Sequence, residues 1–255
     1  TLPIALMIVG TATTSIPAAI LMSRVGRKAG FLFGCAYASL AGLIAAYALV
    51  NSNFVLFCLA TFIVGSHNAF IQQYRFAAIE TVPADKVATS LSILMLAGVV
   101  AAFAGPEIAI LTRHASELGE FVGPFLSITV TMGCAFFILC FYPNSTLERD
   151  VSTAAQRPLP VILKQPLFIL AVAASAVGYG VMSFVMTATP VSMHTVQHHS
   201  FEDTAWVIQS HIMAMYLPSL FSGLLIARFG PTKIISIGLF LMFACLYIAY
   251  LDQLL

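Results

Sequence analysis

The sequence predicts an all-α polytopic membrane protein with about eight transmembrane helices. Of its 255 residues, 60% are hydrophobic and only 8% are charged, whereas a soluble globular domain carries roughly 25% charged residues. So few charges cannot cover a surface that faces water. The apolar residues occur in runs of about 20, separated by short polar breaks, and a helix of that length crosses the hydrocarbon core of a bilayer.

Five apolar spans precede the longest polar loop. The first ends at the basic segment 23–28, the second at the polar residues 51–53, the third at Glu80, the fourth at Arg113 and the fifth at Pro143. Within these limits the predicted spans cover residues 3–22, 29–50, 54–79, 88–111 and 121–142.

Three further spans follow the loop 143–165, which is rich in proline and carries charges of both signs, as a linker between two bundles does. Ser200, with Asp203 three residues later, is typical of the capping box that begins a helix. The predicted spans cover residues 166–190, 203–227 and 233–252. We therefore expect an N-terminal bundle over 1–142, a linker over 143–165 and a partial C-terminal bundle over 166–255.

The distribution of basic residues predicts the orientation in the membrane. Nine Lys and Arg residues lie in one alternate set of loops and their margins, whereas the other set holds only Arg113. By the positive-inside rule the basic loops are cytoplasmic, which predicts a protein of the plasma (inner) membrane. The cytoplasmic loops are residues 23–28, 80–87, 143–165 and 228–232. The net charge of +1 gives no indication of a nucleic-acid partner.

A short basic stretch occurs twice, as "AILMSRVGRK" at 19–28 and as "GLLIARFGPT" at 223–232. At a shift of 204 residues, Leu21 aligns with Leu225, Arg24 with Arg228 and Gly26 with Gly230. Both copies lie between an outside-to-inside span and the next helix. Parallel repeats of two membrane halves are one architecture of secondary transporters.

Both copies resemble the loop motif of the major facilitator superfamily, G-x-L-x-D-R-x-G-R-[RK], found between the second and third helices of each half. Ser23 and Ala227 stand where the family has aspartate. The resemblance implies two six-helix bundles, related by a twofold axis along the membrane normal, with a substrate cavity between them. This chain would hold helices 2–9 of the expected twelve, with one further helix upstream and three downstream.

The resemblance also implies a conformational latch that holds the two halves in the outward-facing state. The implied latch residues are Arg24, Gly26, Arg27, Lys28, Arg228 and Gly230. Because the aspartate is missing, we expect Glu80 to pair with Arg24 or Arg27; alternatively, the basic residues only anchor the cytoplasmic side. Glycine is expected at position 26 because a side chain there would block the approach of a neighbouring helix.

Glu107, in "AGVVAAFAGPEIA", is an ionisable residue inside a predicted span, where charges are costly and usually functional. A carboxylate in a low dielectric can exchange a proton near neutral pH, so we expect a proton-coupling site. The alternatives are a carboxylate near the outer water interface and an ion pair with another helix. Gly105 and Pro106, within a stripe of small residues that favours close helix packing, resemble the family's antiporter motif, which implies export or exchange.

Polar side chains in the remaining spans are candidates for binding a substrate. Asn68, Gln72 and Arg75 have the spacing of one helical face, with His67 on a neighbouring stripe, and such a face is not left toward lipid. Tyr179, Gln209 and His211 would suit a cavity for an amphipathic organic molecule. Alternatively these groups only join helices, and Arg75 reaches the inner interface or pairs with Glu80.

Together these features predict a monomeric secondary transporter that moves a small organic solute by alternating access, in proton-coupled antiport or efflux. Its expected partners are the solute, protons and the lipid bilayer, with no cofactor and no metal; the histidine-rich outer loop around His198 is more typical of a solvated loop than of a metal site. The alternatives are a non-transporting, receptor-like member of the same fold and an uptake symporter. An intramembrane enzyme is disfavoured because Glu107 has no acidic neighbour on its own helix.

Overall fold

The computed structural model describes residues 2–143 and 158–252, and the regular elements within these ranges are all helical. A 3-10 turn at Ala84–Lys86 precedes the fifth α-helix. The helices are α1 (Leu2–Val25), α2 (Arg27–Val50), α3 (Phe54–Ile71), α4 (Tyr74–Glu80), α5 (Val87–Thr112), α6 (Val122–Leu139), α7 (Leu159–Leu163), α8 (Pro166–Thr195), α9 (Phe201–Phe229) and α10 (Pro231–Asp252).

Six helical stretches of the described residues are long and apolar enough to cross a membrane. They are Leu2–Val25, Arg27–Val50, Phe54–Glu80, Thr89–Thr112, Val122–Leu139 and Pro166–Thr195. The seventh and eighth predicted spans coincide with α9 and with α10, which contains the shorter apolar stretch Thr232–Ile248. Large apolar side chains such as Val55, Leu111 and Leu167 are exposed along the helices, as hydrocarbon-facing surfaces require.

The third predicted span is not one continuous α-helix. α3 ends at Ile71 and α4 begins at Tyr74, with a turn at Gln72 and Gln73 between them. In this turn the N–H of Gln73 donates to the carbonyl of Phe70 at 3.0 Å. An i to i−3 bond of this kind tightens the helical turn, so the side chains after the turn are rotated relative to those of a continuous helix.

The crossing of α1 and α3 depends on glycine. Gly10 lies against the carbonyl of Phe62, and a Cβ atom at Gly65 would overlap the carbonyl of Met7. The hydroxyl of Thr11 donates to the carbonyl of Gly65 at 2.8 Å. Small residues and hydroxyl groups that bring two backbones together are the usual means of helix association in membranes, and here they fix the core of the N-terminal bundle.

Helices α2 and α6 are joined by reciprocal hydrogen bonds. The Ser39 hydroxyl donates to the carbonyl of Thr129 at 3.1 Å, and the Thr129 hydroxyl donates to the carbonyl of Ser39 at 3.0 Å. Nearby, a Cβ atom at Gly42 would lie 2.8 Å from the carbonyl oxygen of Phe125. The two helices therefore pack in a register that leaves no room for a side chain at position 42.

The N-terminal and C-terminal halves meet chiefly along α5 and α9. A Cβ atom at Gly98 of α5 would lie 2.5 Å from the ring of Tyr216 on α9, so the missing side chain allows this close approach. Residues 144–157 of the predicted linker lie outside the described residues. The short helix α7 lies after these residues, near the end of the predicted linker, and α8 begins at Pro166 as predicted.

Candidate functional site

The two copies of the basic stretch form turns with the same backbone geometry. Gly26, between α1 and α2, has φ 89° and ψ 159°, and Gly230, between α9 and α10, has φ 81° and ψ 155°. The N–H of Gly26 donates to Met22 at 3.0 Å, and that of Gly230 donates to Ile226 at 2.9 Å. Both acceptors are carbonyls at equivalent repeat positions. The structure therefore reproduces the repeat in backbone conformation as well as in sequence.

The expected reason for glycine at position 26 is wrong. A Cβ atom at Gly26 or at Gly230 would meet nothing within 4 Å, so a side chain there would block no neighbouring helix. The requirement comes from the backbone, because this combination of positive φ and extended ψ is adopted almost exclusively by glycine.

The ion pair expected for Glu80 is present, and its partner is Arg27. Nε of Arg27 donates to one carboxylate oxygen of Glu80 at 2.9 Å, and a terminal nitrogen donates to the other at 2.6 Å. The remaining terminal nitrogen donates to the side-chain oxygen of Gln73 at 3.0 Å. This two-point geometry matches the planar guanidinium to the carboxylate, and the turn after α3 supplies the third contact.

This ion pair lies within one half of the molecule. Arg27 begins α2 and Glu80 ends α4, so the pair ties together two helices of the N-terminal bundle. Among the described residues, Arg24 and Lys28 form no ion pair, and Arg228 lies 5.4 Å from the ring centroid of Phe229. This ion pair therefore does not join the two halves, and the latch role of the basic turns stays a hypothesis.

Glu107 contacts the other half directly. The side-chain nitrogen of Gln209, on α9, donates to a carboxylate oxygen of Glu107, on α5, at 3.2 Å. Gln209 is buried, with 6% exposure, whereas Glu107 is exposed. Of the alternatives considered from the sequence, the structure shows a neighbouring helix as the partner of Glu107, but the partner is a neutral amide rather than a basic group.

The predicted packing role of Gly105 does not apply within the described residues. A Cβ atom at Gly105 would meet nothing within 4 Å, and Pro106 follows it without interrupting α5. Gly105 instead borders a cavity of about 280 Å³ between α5 and α6, with Ser127 and Thr131 on the opposite wall. On α5, the close approach to α9 is made at Gly98.

The four candidate residues around the end of α3 are in different environments. His67 is buried, and no described group bonds to its Nδ1 atom, which lies near Gly34 of α2. Asn68 is partly buried, whereas Gln72 and Arg75 are exposed. Because the helix is interrupted at Gln72, the predicted polar face does not continue along one α-helix, and a shared substrate contact stays a prediction.

In the second half, Tyr179 on α8 has half of its surface exposed, and His211 on α9 borders a cavity of about 400 Å³ between α8, α9 and α10. At the repeat shift, two cavity residues, His211 and Gly238, align with Met7 and Gly34. In the first half, those two positions pack against α3. Two residues that line the cavity are therefore the equivalents of positions that pack against a helix, and the cavity gives no support to a substrate contact at His211.

The sequence did not predict a cluster that the structure shows at the C-terminal end of α5. Arg113 forms an ion pair with Glu120 and lies over the rings of Phe121 and Phe201. The signal in the sequence was that Arg113 is the only Lys or Arg residue in the loops predicted to lie outside. Among the described residues, no group of three or more His, Cys, Asp or Glu side chains could hold a metal ion.

Regular elements that are all helical over residues 2–143 and 158–252, six candidate membrane spans and two equivalent basic turns define a multi-pass integral membrane protein of the secondary-transporter type. The model of the Major Facilitator Superfamily matches residues 1–252. The chain belongs to this family, and its fold is a partial fold of that kind. The family and the relatives below are transporters rather than enzymes.

The chain is similar to three curated relatives. It is 40% identical over 245 residues to the riboflavin transporter RfnT of Brucella anthropi, covering 95% of this chain and 61% of the relative. It is 31% identical over 268 residues to the uncharacterized MFS-type transporter YdeG of Bacillus subtilis, covering 98% and 61%. It is 30% identical over 250 residues to YddS of the same organism, also an uncharacterized MFS-type transporter, covering 91% and 56%. The chain thus spans about three fifths of the length of these relatives, and no solved structure matches it.

Proposed function

We propose that the protein is a proton-coupled secondary transporter of a small organic solute, working by alternating access, and that riboflavin is the first solute to test. Family membership supports transport, and the 40% identity to a relative named as a riboflavin transporter supports the substrate class. A planar heteroaromatic molecule with a polar tail is the amphipathic kind of solute that the sequence predicts.

The observation that carries the coupling is the contact between Glu107 and Gln209. It joins α5 of one half to α9 of the other, so movement of the halves about a central site would change its length. An ionised carboxylate only accepts hydrogen bonds, whereas a protonated carboxyl group also donates one. Protonation of Glu107 thus changes the bonding across the interface, which gives a proton a way to bias the position of the halves.

The proposed direction is antiport or efflux, which rests on the match of Gly105 and Pro106 to the antiporter motif. In an antiporter the solute and the protons cross the membrane in opposite directions, whereas in an uptake symporter they cross it in the same direction. Arg27 and Glu80 are proposed to hold the inner ends of α2 and α4 in the arrangement that the latch requires.

Riboflavin flux in proteoliposomes tests this function. The full-length polypeptide is reconstituted with an imposed pH gradient, and the lumenal riboflavin concentration is followed by its fluorescence. We expect riboflavin to accumulate in the compartment with the higher proton concentration. Accumulation in the opposite compartment would show a symporter. If riboflavin and related heterocycles bind without any flux, the protein is a non-transporting member of the family.

A further inference from the structure

One guanidinium group just after the C-terminal end of α5 contacts two aromatic rings, one from each half. Cζ of Arg113 lies 4.9 Å from the ring centroid of Phe121 and 4.8 Å from that of Phe201. The two rings are 5.8 Å apart and meet edge to face. Phe121 precedes α6 in the N-terminal half, and Phe201 begins α9 in the C-terminal half. The proposed function makes no use of this cluster.

The N-terminal side of the cluster is held by contacts of its own, which do not involve Phe201. Nε of Arg113 donates to a carboxylate oxygen of Glu120 at 2.7 Å, and the carbonyl of Arg113 accepts from the N–H of Phe121 at 3.0 Å. Phe121 has a φ of 67°, which is uncommon for a non-glycine residue and persists only where neighbouring contacts hold it. The loop between α5 and α6 thus folds back and orients the guanidinium.

The C-terminal side is also fixed independently. The hydroxyl of Ser200 accepts from the N–H of Asp203 at 3.0 Å, and the N–H of Ser200 donates to the Asp203 carboxylate at 3.3 Å. This capping box fixes the first turn of α9, and Phe201 is the first residue of that turn. Each side is therefore ordered by its own hydrogen bonds, and the two sides meet through the side chains of Arg113, Phe121 and Phe201.

We propose that Arg113, Phe121 and Phe201 form an outer gate of the transporter. Arg113 and Phe121 move with the first half, so opening toward the outside must separate Phe201 from both of them. The interface continues inward from this point to Gln209 and Tyr216 of α9, which places the gate at its outer end. Guanidinium–ring contacts of this kind change an equilibrium constant by roughly 2- to 30-fold.

The inference rests on the proposed function only in that the two halves separate during transport, and its test needs neither substrate nor a pH gradient. Spin labels at Leu118 and Glu202, both exposed and on opposite sides of the gate, report the separation of the outer ends by dipolar broadening. The full-length polypeptide is used after its native cysteines have been replaced. A failure of riboflavin transport would leave this measurement intact.

Two variants remove the ring contact in different ways. Phe201→Leu keeps an apolar side chain without a ring, and Arg113→Lys keeps the charge without the planar group that stacks on aromatic rings. We expect each variant to raise the separated population by roughly 2- to 30-fold. Because both remove the same contact, the double variant is expected to open no further than the more open single variant.

Glu120→Gln is the matched control, because it removes the ion pair and leaves both rings in place. It is expected to shift the separation less than either ring variant. The proposal is overturned if Phe201→Leu leaves the separation unchanged, or if Glu120→Gln opens the outer ends as far as Phe201→Leu does. If Arg113→Lys fails to fold, Phe201→Leu against Glu120→Gln still decides the question.

Discussion

Replacing Gly26 with alanine is expected to destabilise the protein through its backbone alone. Gly26 has φ 89° and ψ 159°, and a non-glycine residue in this region costs about 1–3 kcal/mol. No atom lies within 4 Å of the position of the new methyl group, so no steric term adds to this cost. Gly230 has nearly the same geometry, and Gly230→Ala is therefore expected to cost the same.

Because the two turns lie in different halves, the effects of the two substitutions are expected to add, to about 2–6 kcal/mol in the double variant. The measurement is unfolding of the purified full-length polypeptide by titration with a denaturing detergent. Gly105→Ala is the matched control, since Gly105 is helical and also has open space around its Cβ position. Alanine in a helix is favoured over glycine by about 0.5–1 kcal/mol, so the control is expected to be neutral or stabilising.

Three results would refute this reasoning. The first is that Gly26→Ala is as stable to unfolding as the unmodified protein. The second is that Gly105→Ala loses as much stability as Gly26→Ala does. The third is a large difference between Gly26→Ala and Gly230→Ala, which would mean that the two turns are not equivalent. Any of these results would mean that the backbone conformation is not the reason why glycine is required in these turns.

Three further substitutions test individual contacts. Gly65→Ala places a methyl group on a carbonyl of α1 and is expected to cost about 1–3 kcal/mol in the same titration; an unchanged midpoint would contradict the crossing. Thr129→Val removes the bond that the Thr129 hydroxyl donates to Ser39 and keeps the one that the carbonyl of residue 129 accepts; it should cost about 0.6–1.7 kcal/mol, whereas Thr129→Ser should retain most of the stability. Glu80→Gln leaves Arg27 without its carboxylate and should shift the inward–outward balance seen by cysteine labelling at the inner face; no shift would end the latch hypothesis.

The spans could be predicted because they depend on local properties of the sequence, whereas the orientation stays a prediction. Runs of apolar residues locate a helix wherever it packs; seven of the eight predicted spans each coincide with one α-helix, and the third coincides with α3 and α4. The capping box at Ser200 was predictable for the same reason, since its partner Asp203 is three residues away. The sequence predicted a pair of Glu80 with Arg24 or Arg27, and the structure shows Arg27 as the partner.

The features that the sequence did not reveal depend on contacts between distant residues. The interruption at Gln72 and Gln73 involves neither glycine nor proline, so no local signal marks it. Phe121 has a left-handed backbone that its residue type does not indicate. Gln209, the partner of Glu107, lies 102 positions away in the chain, and Phe201, one partner of Arg113, also lies on α9; only the packing of the two halves brings these residues together.

The role of Glu107 is the central claim of the proposed function, and Glu107→Gln in proteoliposomes tests it most directly. The variant is compared with Glu117→Gln, which makes the same chemical change at an exposed residue of an outer loop. We expect Glu107→Gln to exchange riboflavin across the membrane while failing to accumulate it against a gradient when protons are supplied, and Glu117→Gln to accumulate it normally. Undiminished proton-driven accumulation by Glu107→Gln would contradict the claim and show that the proton is carried elsewhere.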